Sequence, residues 1–196
     1  LNVAKANIRL AAKQGYANGA RGLLLTAWGD QGHHQPWLTL YPALIIAAAE
    51  SHGQTLDEAE IAKAIDTLFY PNQAKGQGAS ICALGQIDGM LTQPSAPNSF
   101  LNSAFFANEK ELNDSIHPLT NQAELSKCAE ALNAIPTDGL DPEIALSVRL
   151  NRAGLERCLG QAPSESKAQL AKDFAIQWRR HSREGGLAES LARMPS

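Results

Sequence analysis

One short apolar run constrains the fold of this chain more than any other feature. Residues 21–27 read Arg-Gly-Leu-Leu-Leu-Thr-Ala and are typical of a strand that is buried on both faces in a parallel sheet. Residues 28–37 follow at once and mix aromatic, acidic and imidazole side chains with two glycines. Open α/β sheets and barrels place ligand sites where a strand ends in such a loop. The sequence therefore predicts one strand, with a candidate site directly after it.

The segments on both sides of this run have helical patterns. Apolar and small residues recur about four apart between residues 2 and 14, which suits an amphipathic helix packed on a sheet. Residues 41–49 are apolar nearly all round, with Pro42 at a natural first-turn position, and this pattern is typical of a buried helix. The order of helix, strand, loop and helix predicts a single β/α unit.

A single strand cannot form a sheet, and a buried strand without hydrogen-bond partners costs free energy. The sequence predicts no second strand. The chain also begins with Leu1 rather than Met. We therefore expect residues 1–50 to be the last β/α unit of a barrel or open sheet whose other strands precede Leu1.

The remainder, residues 51–196, is predicted to be helical. Thr55 and Glu58 have the spacing of a capping box at the start of one helix. Asp141 precedes Pro142 and is a suitable cap for a later helix. Three apolar stripes, in residues 125–135, 144–159 and 164–178, predict antiparallel helices that form a small bundle.

Two motifs resemble one enzyme family. Residues 22–37, GLLLTAWGDQGHHQPW, resemble the closing strand and loop of bacterial family 20 glycoside hydrolases, the β-N-acetylhexosaminidases, in which a Trp-Gly-Asp motif follows the last barrel strand. Residues 178–190, WRRHSREGGLAES, resemble the ending of the same enzymes. Two motifs in the right order are more specific than either alone. The residues between them have no match.

The resemblance implies a mainly α chain with two parts. Residues 1–50 would be the last β/α unit of a (β/α)8 TIM barrel, and residues 51–196 would be a helical C-terminal domain. The implied reaction is the removal of terminal β-linked N-acetylhexosamine by substrate-assisted retaining hydrolysis, without a cofactor. Its partners would be an N-acetylhexosamine-containing glycan and the N-terminal remainder of the same protein.

The catalytic residues of that family are an Asp-Glu pair on a middle barrel strand, and the sequence has no such pair at a strand end. Asp57 and Glu58 are adjacent, but they lie in the first turn of a predicted helix, where acidic residues favour the dipole. We therefore expect no catalytic residue in this chain, which alone would be inactive. It would supply one wall of a sugar pocket.

Trp28 and Asp30 are the strongest candidates for that wall. An indole offers a flat apolar face to the C–H face of a pyranose, and a carboxylate accepts hydrogen bonds from ring hydroxyls. The resemblance implies that Trp28 lines the pocket and that Asp30 binds the 4- and 6-hydroxyls. Gln31, His33 and His34 are weaker candidates. The alternative is that Trp28 packs in the core and Asp30 caps a turn.

A metal site at Asp30, His33, His34 and His52 is disfavoured. Adjacent histidines on a loop rarely both face one ion, and the spacing of a helical zinc motif is absent. We expect no metal and no cofactor.

Composition excludes several classes of function. A net charge of -3 gives no basic field for nucleic acid. The longest apolar run, residues 41–49, is too short to span a membrane. Cys82, Cys128 and Cys158 are far apart and odd in number, which favours reduced, buried thiols and a cytoplasmic location.

Two other functions remain open. The chain could be a noncatalytic helical interaction module, for example one that forms a homodimer, with the Trp loop as its packing centre. It could also belong to another hydrolase whose barrel closes with an aromatic and acidic loop.

Overall fold

The protein is mainly α-helical, as the sequence predicts. The computed structural model describes residues 1–28, 34–92 and 99–194, and in those ranges it contains no strand. The helices are α1 (Asn2–Ala17), α2 (Tyr41–Ser51), α3 (Glu58–Phe69), α4 (Gln77–Gln86), α5 (Phe100–Phe106), α6 (Glu109–Glu111), α7 (Gln122–Ala134), α8 (Pro142–Cys158), α9 (Lys167–His181) and α10 (Leu187–Ala192). Short 3-10 turns precede α2 and follow α4, and a π-helical turn follows α6.

Residues 21–28 differ from the prediction of a strand buried on both faces. They have no regular secondary structure, and Leu24 is 86% exposed. Their backbone forms no hydrogen bond with any other segment that the structure describes. A strand needs a neighbouring strand to satisfy its backbone groups, and the described chain offers none.

The capping box at the start of α3 is formed by a different pair from the predicted Thr55 and Glu58. The Asp57 carboxylate accepts a hydrogen bond from the Glu60 backbone N–H at 2.8 Å, and the Glu60 carboxylate accepts one from the Asp57 N–H at 2.8 Å. Thr55 donates its hydroxyl proton to the Glu50 carboxylate instead. The helix itself is present as predicted, with Ile61 and Ile65 buried, but Leu68, which the sequence pattern places on the same apolar face, is 65% exposed.

Helix α8 lies at the centre of the C-terminal helices. Eleven of its 17 residues are buried, and α5, α7 and α9 all pack against it. The contact with α5 is closest at Gly154, where a Cβ atom would overlap the Leu101 carbonyl oxygen. The three predicted helices α7, α8 and α9 are therefore present, and α7 and α9 each pack against α8, with α5 as a further close neighbour of α8.

One apolar cluster joins the helices on both sides of residue 50. It contains Ile8 of α1 and Ile46 of α2, together with Ile65 of α3 and Ile144 of α8. The N-terminal helices are thus packed on the same core as the later ones. Among the helices described, none is long and apolar enough to cross a lipid bilayer.

Candidate functional site

The residues that the sequence predicts as a sugar site fall on a loop that the structure describes in part. Asp30, Gln31 and His33 lie outside the described residues. Trp28 is described, and its side chain is 81% exposed, which rules out the alternative of a core position in this structure. His34 packs its ring against Phe106, with the ring centroids 4.0 Å apart and the planes 13° from parallel. Trp28 therefore faces solvent, whereas His34 packs against an aromatic ring.

His34 is one of the residues that line a narrow cleft, which we call the loop cleft. It lies between the end of the loop and the facing sides of α8 and α9. Its lining residues are His34, Gln35, Pro36, Trp37, Glu143, Leu146, Ser147, Leu150, Phe174, Gln177, Trp178, His181 and Ser182. The space inside is about 40 Å³, which holds a few water molecules at most. In this structure the loop cleft is too small for a pyranose.

Two ionisable groups face each other in the loop cleft. Nε2 of His181 lies 3.2 Å from a carboxylate oxygen of Glu143, whose side chain is only 7% exposed. Burial raises the pKa of Glu143, although the neighbouring His181 and Arg180 oppose this shift. The carboxyl group therefore keeps its proton to a higher pH than a free glutamic acid does. Such a pair can hold or pass a proton at the end of α9.

A second polar cluster lies at the start of α8, and we call it the Asp141 junction. Arg180 of α9 forms two hydrogen bonds with the Asp141 carboxylate, both of 3.0 Å. The backbone N–H of Glu143 and the side chain of Gln73 also donate to this carboxylate. Burial would raise the pKa of Asp141, but these hydrogen bonds outweigh burial and hold the pKa below its ordinary value.

Gln77 completes the Asp141 junction from α4. Its side chain is fully buried and accepts a hydrogen bond from the Asp141 backbone N–H at 2.8 Å. The same amide donates to the carbonyl oxygens of Gly139, at 2.9 Å, and Ala74, at 3.1 Å. The junction therefore ties α4, α8 and α9 together through satisfied polar groups.

The arginines of the second motif act in structural contacts. Arg180 belongs to the Asp141 junction, and Arg179 pairs with Glu184 on the surface, with 2.5 Å between Nε and a carboxylate oxygen. Trp178 donates its indole N–H to the Arg183 carbonyl oxygen at 2.7 Å. These contacts fix the turn after α9.

A larger space, which we call the α1–α8 cavity, lies between α1, α4, α5, α8 and the turn before α2. Its volume is about 670 Å³. Its walls are mostly apolar, and five residues in the lining carry polar side chains close to one another in the fold: Asp88, Ser99, Asn102, Ser147 and Asn151. Trp28 and His34, the two predicted sugar-site residues that the structure describes, do not line this cavity.

All three cysteines are free and buried, as the sequence predicts. Burial raises the pKa of Cys82 and of Cys128 to about 11, and that of Cys158 to about 12. Thiols with such pKa values are protonated near neutral pH, so they are not nucleophiles there. Across the described ranges, no three metal-ligating side chains come together in a cluster that could hold an ion.

The sequence pattern predicts the loop as a site but not the polar clusters. It predicts Asp141 as a helix cap, yet nothing in its spacing indicates Arg180 as its partner. The pairing of Glu143 with His181 and the cavity around Asp88 also depend on residues that are distant in sequence. Only the packing of α8 against its neighbours brings them together.

Comparisons of this chain with family models, with curated proteins and with solved structures found no match.

Proposed function

We propose that this chain is the C-terminal portion of a glycoside hydrolase that removes terminal β-linked N-acetylhexosamine. In this proposal residues 21–27 are the last strand of a (β/α)8 barrel, and residues 51–196 form a helical domain beside it. Trp28 and Asp30 bind the sugar, and the catalytic Asp-Glu pair lies in the N-terminal remainder of the protein. The chain alone does not turn over substrate.

The observation that carries the proposal is the open face of residues 21–28, which has no strand beside it in the described chain. Their sequence is that of a buried strand followed by a Trp-Gly-Asp motif, yet Leu24 and Trp28 are 86% and 81% exposed. The backbone groups of this segment are also unpaired within the described chain. Leu23 and Leu25 pack against the apolar cluster that includes Ile8, so one face of the segment is covered and the other is open. The backbone of a strand obtains its hydrogen bonds from neighbouring strands.

Exposed apolar residues of α1 support the same interpretation. Val3 is 68% exposed and Leu10 is 58% exposed, seven residues apart and therefore on one side of the helix. Together with Leu24 and Trp28 they leave much apolar surface uncovered near the N-terminus. Apolar surface of this kind marks a contact with another part of a protein or with a partner.

Replacement of Asp30 by Ala in the full-length protein tests the sugar-binding role. We expect kcat/KM for 4-nitrophenyl N-acetyl-β-D-glucosaminide to fall roughly 100-fold, because hydrogen bonds to a charged group contribute about 1.5–3 kcal/mol each. The melting temperature should not change. Asp138→Ala, on an exposed turn, is the matched control and should leave both quantities unchanged. A full-length protein without activity on this substrate, or an Asp30→Ala variant with unchanged kinetics, would refute the proposal.

The exposed surface also favours a second function, a noncatalytic module that self-associates. In that case the interface between two copies of the 196-residue chain would bury four residues: Leu24, Trp28, Val3 and Leu10. Light scattering after size-exclusion chromatography separates the two functions. A dimer that becomes monomeric in the Leu24→Asp variant would support the module, and a monomer at all concentrations would exclude it.

A further inference from the structure

The α1–α8 cavity has the volume of a ligand site. Small-molecule sites in proteins occupy about 300–1,000 Å³ and combine apolar walls with a few polar groups. At about 670 Å³ the cavity lies within this range, and Leu84, Leu91 and Leu150 contribute apolar surface to its lining. What it can bind depends on the hydrogen-bonding capacity that its polar groups retain.

Asp88 brings a carboxylate without an ion-pair partner to the cavity. One oxygen, Oδ1, accepts hydrogen bonds from the Phe100 backbone N–H at 3.0 Å and from the Ser99 hydroxyl at 3.3 Å. Oδ2 accepts none from the residues described, and no cationic group there lies within ion-pair distance. The Leu1 ammonium, which donates to the Gly85 carbonyl oxygen at 2.6 Å, attracts Asp88 only from farther away. A partly buried carboxylate of this kind favours a cation or a proton beside it.

Asn102 contributes to the same cavity a side-chain amide whose hydrogen-bond donors and acceptor are available to a ligand. The residue is only 4% exposed, and its side chain forms no hydrogen bond with the part of the chain that the structure describes. Asn102 lines the cavity, so its amide can pair with a ligand there. Asn102 can both donate and accept hydrogen bonds.

Ser99 connects these groups into one cluster. Its hydroxyl lies 3.3 Å from Oδ1 of Asp88 and 3.2 Å from Oδ1 of Asn151, and it accepts the Asn102 backbone N–H at 3.5 Å. A hydroxyl has one proton, so it donates to only one of the two oxygens at a time. The other oxygen is then free to accept a hydrogen bond from a ligand.

We propose that the α1–α8 cavity binds a small organic ammonium ion that carries hydroxyl groups. The ammonium donates to Oδ2 of Asp88 and neutralises the charge of the carboxylate. The hydroxyl groups exchange hydrogen bonds with Asn102 and with the oxygen that Ser99 leaves free. The carbon skeleton lies against Leu84 and Leu91.

The chemistry of the lining disfavours other ligands. A metal ion would need more than the single carboxylate that Asp88 supplies. An anion would be repelled by Asp88. A neutral polyol could use Asn102, but it would leave the Asp88 charge without a partner. Trp28 is not among the described residues that line this cavity, and the test below uses no glycosidase assay, so either proposal can fail while the other stands.

Calorimetric titration of the 196-residue chain in phosphate buffer tests the proposal with two probes of nearly the same shape. Tris(hydroxymethyl)aminomethane is an ammonium with three hydroxyl groups at neutral pH, and pentaerythritol replaces its ammonium with a fourth hydroxymethyl group. We expect the ammonium probe to bind at least about tenfold more tightly, because charge-assisted hydrogen bonds are roughly twice as strong as neutral ones. Absence of binding, or equal binding of the two probes, would overturn the proposal.

Three variants locate the binding. Asp88→Asn should remove the preference for the ammonium probe, and Leu84→Trp should fill the cavity and abolish the binding of both probes without a change in its polar groups. Asp138→Asn, at an exposed position remote from the cavity, should bind like the unmodified chain. Melting curves of each variant show that it is folded. If either cavity variant is folded and still binds the ammonium probe like the unmodified chain, the site is not this cavity.

Discussion

Asp141 and Asp88 are both partly enclosed carboxylates at helix boundaries, and their surroundings differ. Asp141 receives hydrogen bonds from Arg180, from Gln73 and from the Glu143 backbone, and its pKa is lowered. Asp88 receives only two from the residues described, both at Oδ1, and burial raises its pKa. Burial acts on both groups in the same direction. The supply of donors therefore decides which carboxylate holds helices together and which has capacity left for a ligand.

The largest effect should come from Gln77, which supports the Asp141 junction without carrying a charge. Gln77→Met would leave the buried Asp141 N–H, and the carbonyl oxygens of the exposed residues Gly139 and Ala74, without the Gln77 amide as a partner. Unpaired buried groups cost about 1–3 kcal/mol each, so we expect a loss of about 3 kcal/mol in the free energy of unfolding. Urea denaturation measures this loss. Gln73→Met, on an exposed residue with one hydrogen bond to Asp141, is the control and should lose less than about 1 kcal/mol. Equal losses in the two variants would show that Gln77 is not the central support.

Removal of the charge partner of Asp141 should have the next largest effect. Arg180→Met would leave a carboxylate that is only 4% exposed without its cation. Breaking a buried pair costs about 3–5 kcal/mol, but Arg180 itself is 39% exposed, so we expect a loss of about 2 kcal/mol in urea denaturation. Arg179→Met breaks an exposed pair and should cause no measurable change. A loss for Arg179→Met as large as that for Arg180→Met would contradict the comparison.

The smallest effects should appear in the pH dependence, and they should have opposite signs. Since the folded pKa of Asp141 is lowered, its contribution to stability is present above the unfolded pKa of about 3.9 and is lost as pH falls through the folded value. The folded pKa of Asp88 is raised, so its contribution is present below about pH 3.9 and is lost as pH rises through the folded value.

Two Asp→Asn variants separate these contributions. Asp141→Asn should be less stable than the unmodified chain at pH 7, with a difference that shrinks as the pH falls below 4. Asp88→Asn should gain stability relative to the unmodified chain as pH rises above 4, by less than about 1 kcal/mol. Unfolding in urea at intervals from pH 3 to pH 8 measures both differences. If the difference in unfolding free energy between variant and unmodified chain changes with pH in the same direction for both variants, the two carboxylates do not differ as we expect.

The helices could be predicted because their signals are local. Apolar stripes of helical period and an Asp141-Pro142 start identified α8 almost to the residue, since these features act within one turn or one face. The capping box of α3 was misplaced because two overlapping patterns occur, at Thr55 with Glu58 and at Asp57 with Glu60. Only the second pair forms, while Thr55 bonds to Glu50.

The candidate sites could be predicted only where one loop holds all their residues. The sequence predicts the Trp28 loop as a site for that reason, although Asp30, its strongest polar candidate, lies outside the described residues. The pairing of Asp141 with Arg180 and the meeting of Asp88 with Asn102 depend on how α8, α9 and α5 pack. No periodicity in the sequence encodes those contacts.

The exposure of Trp28 makes it a built-in optical probe. An indole that is 81% exposed to water emits at long wavelength, and its emission moves to the blue when an apolar surface covers it. With Trp37 and Trp178 replaced by Phe, the fluorescence of the chain would report Trp28 alone. A blue shift when the 196-residue chain is concentrated, or when it is mixed with the barrel portion that the proposed function requires, would then show which partner covers the segment.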